Sequence, residues 1–392
     1  VATKILVVDD EPDFELLITQ FFRTKIQQNL FRFIFADSVQ EALGILKSDP
    51  EISIVITNLN DPGNELMLLL EKVALLDQFC KVIVISAYGD MANVRMAMNR
   101  GAFDFIMKPI DFSDLDLTIE RLVKQSALSK EALENKKALA DIERQLDIAR
   151  TIQQSFIPHN FNPMPSLPSI EIFGKMLPAK HVGGDFFDFF PLDDQHIGFI
   201  IADVSGKGVP AALFMAVTRT IIRTIAMKTN SPLETVQETN KLLNYENETS
   251  LFVTAFYGVI NCITGEMSYS NAGHNPPYLL SEDNTVTEIG RQQGLPLGVL
   301  SEPELSNRLP YTERSLQLKA NDTLILYTDG VTEAMNISYK MFGEKKLTKI
   351  LQTITDKSLE EIVDIILESV KKHGGKAAQS DDCTLLALRY KG

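Results

Sequence analysis

The chain has 392 residues, 45% hydrophobic and 23% charged, the proportions of a soluble globular protein with room for two separate cores. Its 38 Lys and Arg against 52 Asp and Glu leave a net charge of −14, which argues against a broad nucleic-acid surface and against anionic membrane, so neither is an expected partner. No apolar run approaches the roughly 20 residues needed to span a bilayer and the N-terminus lacks a signal-peptide pattern, so a cytoplasmic location is expected.

In chain order, the first elements are short apolar runs: "KILVV" (4–8), "FRFIFA" (31–36), "ISIVI" (52–56), "KVIVIS" (81–86) and "FDFIM" (103–107). Amphipathic helical segments separate most of them, among them Val39 to Lys47 and Met91 to Arg100. Near-continuous apolar strands alternating with helices predict a parallel five-stranded sheet covered on both faces, an α/β doubly wound domain. Functional groups then belong beyond the carboxyl ends of the strands. Asp9, Asp10 and Glu11 follow the first strand, Asn58 the third, Ser86 the fourth, and Lys108-Pro109 the fifth. One acidic pair after a strand is as readily a helix cap. Four strand tips bearing an acid pair, an amide, a hydroxyl and a lysine are harder to assign to capping.

On these residues, positions 3 to about 124 resemble the response-regulator receiver domain. The resemblance implies a Mg²⁺ site at Asp9 and Asp10 with the Asn60 backbone carbonyl. It implies phosphoryl-oxygen contacts from Ser86 and Lys108, and a reporting aromatic at Phe105. It places Asn58 on the phosphoacceptor position, where the family has an aspartate that attacks the phosphoryl donor. An amide can coordinate or accept a hydrogen bond, but it is a poor nucleophile, so no acyl phosphate is expected. Asp61 also departs from the family, which has an apolar residue before that proline. Asn58 fits either a natural pseudo-receiver or an engineered Asp-to-Asn change that fixes the unphosphorylated state, and the otherwise intact set favours the second.

No Gly or Pro lies between Asp111 and Ile157, which predicts a helix that Pro158 stops. Leu128, Ala132, Asn135, Leu139, Ile142, Leu146, Ala149, Gln153 and Phe156 follow 4-3-4-3 spacing, the seam of a coiled coil with Asn135 as a register-fixing polar position. A single helix lying on its own domain would show a wider apolar stripe. The expected organisation is therefore a domain over 1–124, a helical coiled-coil linker over 125–157 that pairs two copies, and a second domain over 158–392.

That second domain shows strand-like runs at "HIGFIIADV" (196–204), "LFVTAFYGVINC" (251–262), "DTLILYTDG" (322–330) and "CTLLALRY" (383–390). Capping-box patterns open helices at Ser231 with Glu234 and at Ser358 with Glu361. Antiparallel sheets with helices outside, an α+β sandwich, are expected. The three cysteines, Cys80, Cys262 and Cys383, show no zinc spacing and are expected to be reduced and structural. "SGKG" (205–208) is not a phosphate-binding P-loop, because Gly208 follows Lys207 and Ile201 replaces the first glycine.

Carboxylates recur beside glycine or at strand ends: "GGDFFD" (183–188), "ADVSGKG" (202–208), "YTDGV" (327–331) and "SDDCT" (380–384). With "NAGHNPPYLL" (271–280), "GLPLGV" (294–299) and the linker end "IARTIQQSFIP" (148–158), they resemble the PPM-type protein serine/threonine phosphatases of the SpoIIE/RsbU class. The resemblance implies two Mg²⁺ or Mn²⁺ ions. Asp203 would bridge them, Asp329 and Asp381 would complete one site, and Asp185 with the Val204 carbonyl the other. Asp188 and Asp382 are implied as supporting groups, and Gly183, Gly184 and Gly206 would allow close backbone approach. His274 reads better as a structural histidine in its turn than as a general acid, and Lys180 carries little weight as a phosphate ligand.

The resemblances together imply a two-component output protein. A receiver served by a sensor histidine kinase would control metal-dependent dephosphorylation of phosphoserine or phosphothreonine on a protein of the anti-sigma-factor-antagonist type. The alternative is a non-enzymatic partner-binding adaptor with a degenerate receiver, against which the complete carboxylate set speaks.

Overall fold

The computed structural model of the chain describes all residues except 1, 59–63, 77–78, 87–90, 165–168, 246, 249, 292–293 and 301–310, with the side chains of 58, 64 and 91–94 also outside it. The chain divides into two compact units, Val1–Ile142 and Glu143–Gly392.

In the first unit β1 (Thr3–Val8), β2 (Phe31–Ala36), β3 (Ile52–Asn58), β4 (Lys81–Ser86) and β5 (Asp104–Met107) form one sheet in the order β2-β1-β3-β4-β5, every pairing parallel. Side chains alternate across a strand, and here both faces are covered. Ile5, Val7, Ile54, Ile56, Ile83 and Ile85 enter one core with Phe14, Ile18 and Ile119. Leu6, Val8, Val55, Val82 and Val84 enter another with Leu69 and Val73. That is why these runs read as continuously apolar. The helix α3 (Val39–Ser48) starts where expected because the Ser38 hydroxyl accepts from the Glu41 amide while the Glu41 carboxylate accepts from the Asp37 amide.

The long helix α6 runs unbroken over Phe112–Phe156. Its first turns bury Leu115, Ile119 and Leu122 in the first unit's core, so they are part of that fold. Beyond them Leu128, Leu139 and Ile142 stand more than half exposed, with 58%, 58% and 54% of their surface open. The seam does not stay exposed to its end: Gln153 is only 6% exposed, and Leu146, Ala149 and Phe156 are half-buried.

The second unit packs two antiparallel five-stranded sheets face to face. One is β13-β10-β9-β8-β7, built from Phe186–Pro191 (β7), His196–Val204 (β8), Val253–Asn261 (β9), Glu266–Ala272 (β10) and Arg314–Gln317 (β13). The other is β12-β11-β14-β15-β6, built from Ile170–Leu177 (β6), Tyr278–Leu280 (β11), Val286–Glu288 (β12), Thr323–Tyr327 (β14) and Cys383–Tyr390 (β15). Phe187, Phe189, Phe199, Phe256, Leu326 and Leu388 fill the layer between the sheets. The helix α7 (Val209–Ala226) covers the outside of the first sheet with α8 (Pro232–Asn244), and helices Glu344–Leu351 and Leu359–Gly374 cover the second. Among the described residues, α7 is long and apolar enough to cross a membrane, which the reading of apolar runs did not anticipate. Its Ala211, Met215, Ile222 and Ala226 are buried against this sheet.

The two expected capping boxes differ. Ser358 and Glu361 close both arms. Ser231 accepts from the Glu234 amide, but the Glu234 carboxylate takes the Thr229 hydroxyl at 2.7 Å, leaving the box half made. All three cysteines are buried and none is in a disulfide.

Candidate active site

In the first unit the strand tips bring the expected groups to one edge. The Asp9 carboxylate accepts from the Glu11 amide at 2.9 Å, and Glu11 pairs with Lys108 at 3.4 Å across the sheet end. Ser86 is fully buried at the tip of β4, and its carbonyl accepts from the Lys108 amide at 2.8 Å, tying the fourth and fifth tips together. Asp10 is exposed, and Phe105 packs half-buried against the core beside it. Asn58 ends β3 opposite Ile85. The Asn58 side chain, Asn60 and Asp61 lie outside the described residues.

In the second unit the acidic motifs converge from four places in the sequence. Asp203 sits near the end of β8, Asp185 just before β7, Asp329 just after β14 and Asp381 just before β15. Asp185 is buried; its carboxylate accepts from the Thr328 hydroxyl at 2.6 Å, and Thr328 in turn accepts from the Thr384 amide at 3.0 Å. Burial, and then the charge of Asp203, hold the Asp185 carboxyl well above the usual carboxylate range. Burial and then Asp329 push Asp203 up to about 7. Burial followed by Glu333 and Asp381 also raises Asp329. A cluster in which burial and like charge both oppose ionisation is one that a cation would relieve.

The oxygen-rich donor set suits a hard divalent ion such as Mg²⁺ or Mn²⁺. Among the described residues no three acidic, His or Cys side chains already converge on one point as ligands. Asp185 is turned to Thr328, and Asp381 to Lys207, whose ammonium pairs with it at 2.8 Å. The Val204 carbonyl lies so close to Gly184 that a Cβ there would come within 2.8 Å of it. Position 184 thus admits only glycine without a backbone shift.

Asp188 does not join the cluster. Its carboxylate is bound by Arg219 at 2.9 Å and Arg223 at 3.0 Å, both from α7. Burial raises the Asp188 carboxyl and the two guanidinium groups oppose that rise. In this structure Asp188 forms a buried ion pair with two arginines of α7. Asp382 holds loops in place, accepting from the amides of Ala179 at 2.7 Å and Gly184 at 2.8 Å. His274 is buried, with burial lowering it to about 4, and its Nδ1 meets the Thr254 hydroxyl at 2.9 Å. Lys180 is exposed.

Three contributors escaped the reading of motifs. Thr328 orients Asp185, and Lys207 faces Asp381; the "YTDGV" and "SGKG" strings contained both. Gln153, a seam position of α6, uses its whole amide on Gly183: it donates to the carbonyl at 2.6 Å and accepts from the amide at 3.0 Å. Gly183 lies two residues before Asp185, so the end of α6 grips the loop that presents that carboxylate.

A doubly wound domain followed by a two-sheet sandwich with a buried carboxylate cluster defines a receiver-linked protein of the PP2C fold. Residues 193–391 match the family described as Stage II sporulation protein E (SpoIIE), and residues 5–120 match the response regulator receiver domain. The chain belongs to the SpoIIE phosphatase family and carries an N-terminal receiver domain. Among its relatives, the protein IcfG of Synechocystis sp. is 31% identical over 271 residues, 62% of this chain and 41% of IcfG. The phosphoserine phosphatase RsbU of Bacillus subtilis is 28% identical over 281 residues, 71% of this chain and 80% of RsbU. The match thus spans less than half the length of the first relative and four-fifths of the second. The SiaA-PP2C domain of Pseudomonas aeruginosa superposes with a TM-score of 0.56 at 22% identity, over 64% of this chain and 98% of that domain.

Proposed function

We propose that this chain is a metal-dependent protein serine/threonine phosphatase under receiver control, acting on a phosphorylated protein of the anti-sigma-factor-antagonist type. Domain limits of 1–124, 125–157 and 158–392, a sensor histidine kinase as upstream partner and a cytoplasmic location belong to the same reading. The observation that carries it is the convergence of Asp185, Asp203, Asp329 and Asp381, contributed by four separate segments, on one site where burial and mutual charge raise the first three. Asp203, between the others, would contribute to both of two Mg²⁺ or Mn²⁺ sites, with Asp329 and Asp381 in one and Asp185 and the Val204 carbonyl in the other. When bound, two such ions activate water and neutralise charge on a transferring phosphoryl group. Thr328 holds Asp185 by a hydrogen bond beside the site, Asp382 and Gln153 fix the loop that carries it, and Lys207 offers a cation beside Asp381. The relative RsbU bears the name phosphoserine phosphatase, which supports the choice of substrate.

Asp203→Asn and Asp329→Asn are each expected to reduce Mn²⁺-dependent hydrolysis of a phosphoserine peptide at least a hundredfold, and to weaken Mn²⁺ binding measured by calorimetry, with the melting profile intact. Turnover within threefold of wild type in either variant would reject the assignment.

In the receiver, the reading places Mg²⁺ at Asp9, Asp10 and Asn60. Asn58 stands as a phosphoacceptor position that takes no phosphoryl group, with Ser86, Lys108 and Phe105 as the switch. Two copies would pair along residues 125–157, where Leu128, Leu139 and Ile142 present exposed apolar surface at heptad spacing.

A further inference from the structure

Beside the acidic cluster the surface sinks into a cavity of about 400 Å³, between the end of helix Leu359–Gly374 and the loop that leads into β15. Leu177, Met335, Leu367 and Val370 line it with apolar surface, and Gly330 and Asp381 close the end nearest the carboxylates. Leu177 and Met335 are 38% and 37% exposed, so apolar area already faces water there. Arg150 from α6 and Lys371 also line the cavity, and neither is in an ion pair among the described residues.

We propose that this cavity is a docking subsite for the polypeptide that carries the phosphorylated residue, seating an apolar side chain on Leu177 and Met335 and an acidic side chain at Arg150 and Lys371. The inference rests on the phosphatase reading and adds what that reading lacks, a source of sequence preference. Three observations select this occupant. Asp381 belongs both to the carboxylate cluster and to the cavity wall, so the two sites are continuous. Extended chain advances about 3.3 Å per residue, so residues flanking the phosphorylated one extend beyond the cluster onto the surface that adjoins it. Two cations at the cavity, in a chain of net charge −14, complement an acidic flank. The volume lies in the range of about 300–1,000 Å³ seen for ligand-binding pockets.

The test uses the full chain with Mn²⁺ and two phosphoserine peptides, one flanked by Leu and Glu and the other by Ser and Lys. Phosphate release reports hydrolysis, anisotropy of non-hydrolysable phosphonate versions reports binding, and p-nitrophenyl phosphate reports the carboxylate cluster alone. The Leu/Glu peptide is expected to be preferred at least tenfold in both kcat/KM and Kd. That preference should fall below threefold in Ala378→Trp, which fills the cavity from an exposed loop position, and in Lys371→Glu, which reverses the charge. Equal Kd values for the two peptides in the wild type, or an undiminished preference in both folded variants, would overturn the proposal. Hydrolysis without preference removes the subsite alone. Preference in binding with no turnover of any phosphoester removes the phosphatase reading and leaves the subsite standing.

Discussion

Replacing Gln153 with alanine tests whether the end of α6 controls the geometry of the carboxylate cluster. The side chain is buried and makes two hydrogen bonds, 2.6 and 3.0 Å, to the carbonyl and amide of Gly183. Truncation leaves both backbone groups without that partner. An unsatisfied buried group costs about 1–3 kcal/mol, so with partial rescue by water the loop loses roughly 2–4 kcal/mol of its preference for the observed conformation. That corresponds to a roughly 30- to 700-fold drop in the equilibrium constant for the loop conformation that presents Asp185. The Gly184 amide remains tied to Asp382 at 2.8 Å, which keeps the loop from unravelling altogether. Mn²⁺ affinity by calorimetry and kcat for p-nitrophenyl phosphate should both fall by at least tenfold, with little change in melting temperature. Gln153→Glu keeps the acceptor for the Gly183 amide but sets a carboxylate against the Gly183 carbonyl, so it should be no better than alanine. Unchanged metal affinity and turnover in Gln153→Ala would refute the idea that this contact positions Asp185.

Incubated with acetyl phosphate and Mg²⁺, the protein should gain no base-labile phosphoryl group, whereas Asn58→Asp should gain one; an unlabelled Asn58→Asp protein would make the receiver inert for another reason, with Asp61 the first suspect. Leu139→Glu with Ile142→Glu places charges along the exposed apolar seam and should convert a dimer to a monomer in light scattering, while equal masses would remove residues 125–157 as the pairing element. His274 gives a pH prediction. Its folded pKa, about 4, lies below the 6.5 of an ordinary histidine, so the unfolded state binds more protons and stability is lost as pH falls from 6.5 toward 4. The shift is on the order of 3 kcal/mol, and the urea midpoint of His274→Asn should vary less between pH 7.5 and 4.5 than that of the wild type; parallel curves would show that His274 does not drive the change.

Much of the architecture is determined by local rules that the sequence carries on its face. Runs such as 4–8 and 52–56 are apolar at every position but Lys4 and Ser53, because both sheet faces are covered. Freedom from Gly and Pro makes 112–156 one helix, and Ser358 three residues before Glu361 makes a cap. The acidic motifs were legible for the same reason, since carboxylates beside glycine at strand ends have few structural uses in such number. Which members of a motif share a site was not legible. Asp185 and Asp188 belong to one string, yet Asp188 lies within β7 on the side of Phe186 and Phe190, which face α7, so Arg219 and Arg223 claim it. The partner of Gln153 was hidden likewise: heptad spacing says which face of a helix is narrow and apolar, but not whether a second copy or the helix's own domain will cover it. Its partner, Gly183, is 30 residues further on, and only the packing of α6 against the second unit's own loops brings the two together. Contacts between groups far apart in sequence are set by how layers stack, and a one-dimensional pattern carries the faces of those layers without carrying their register.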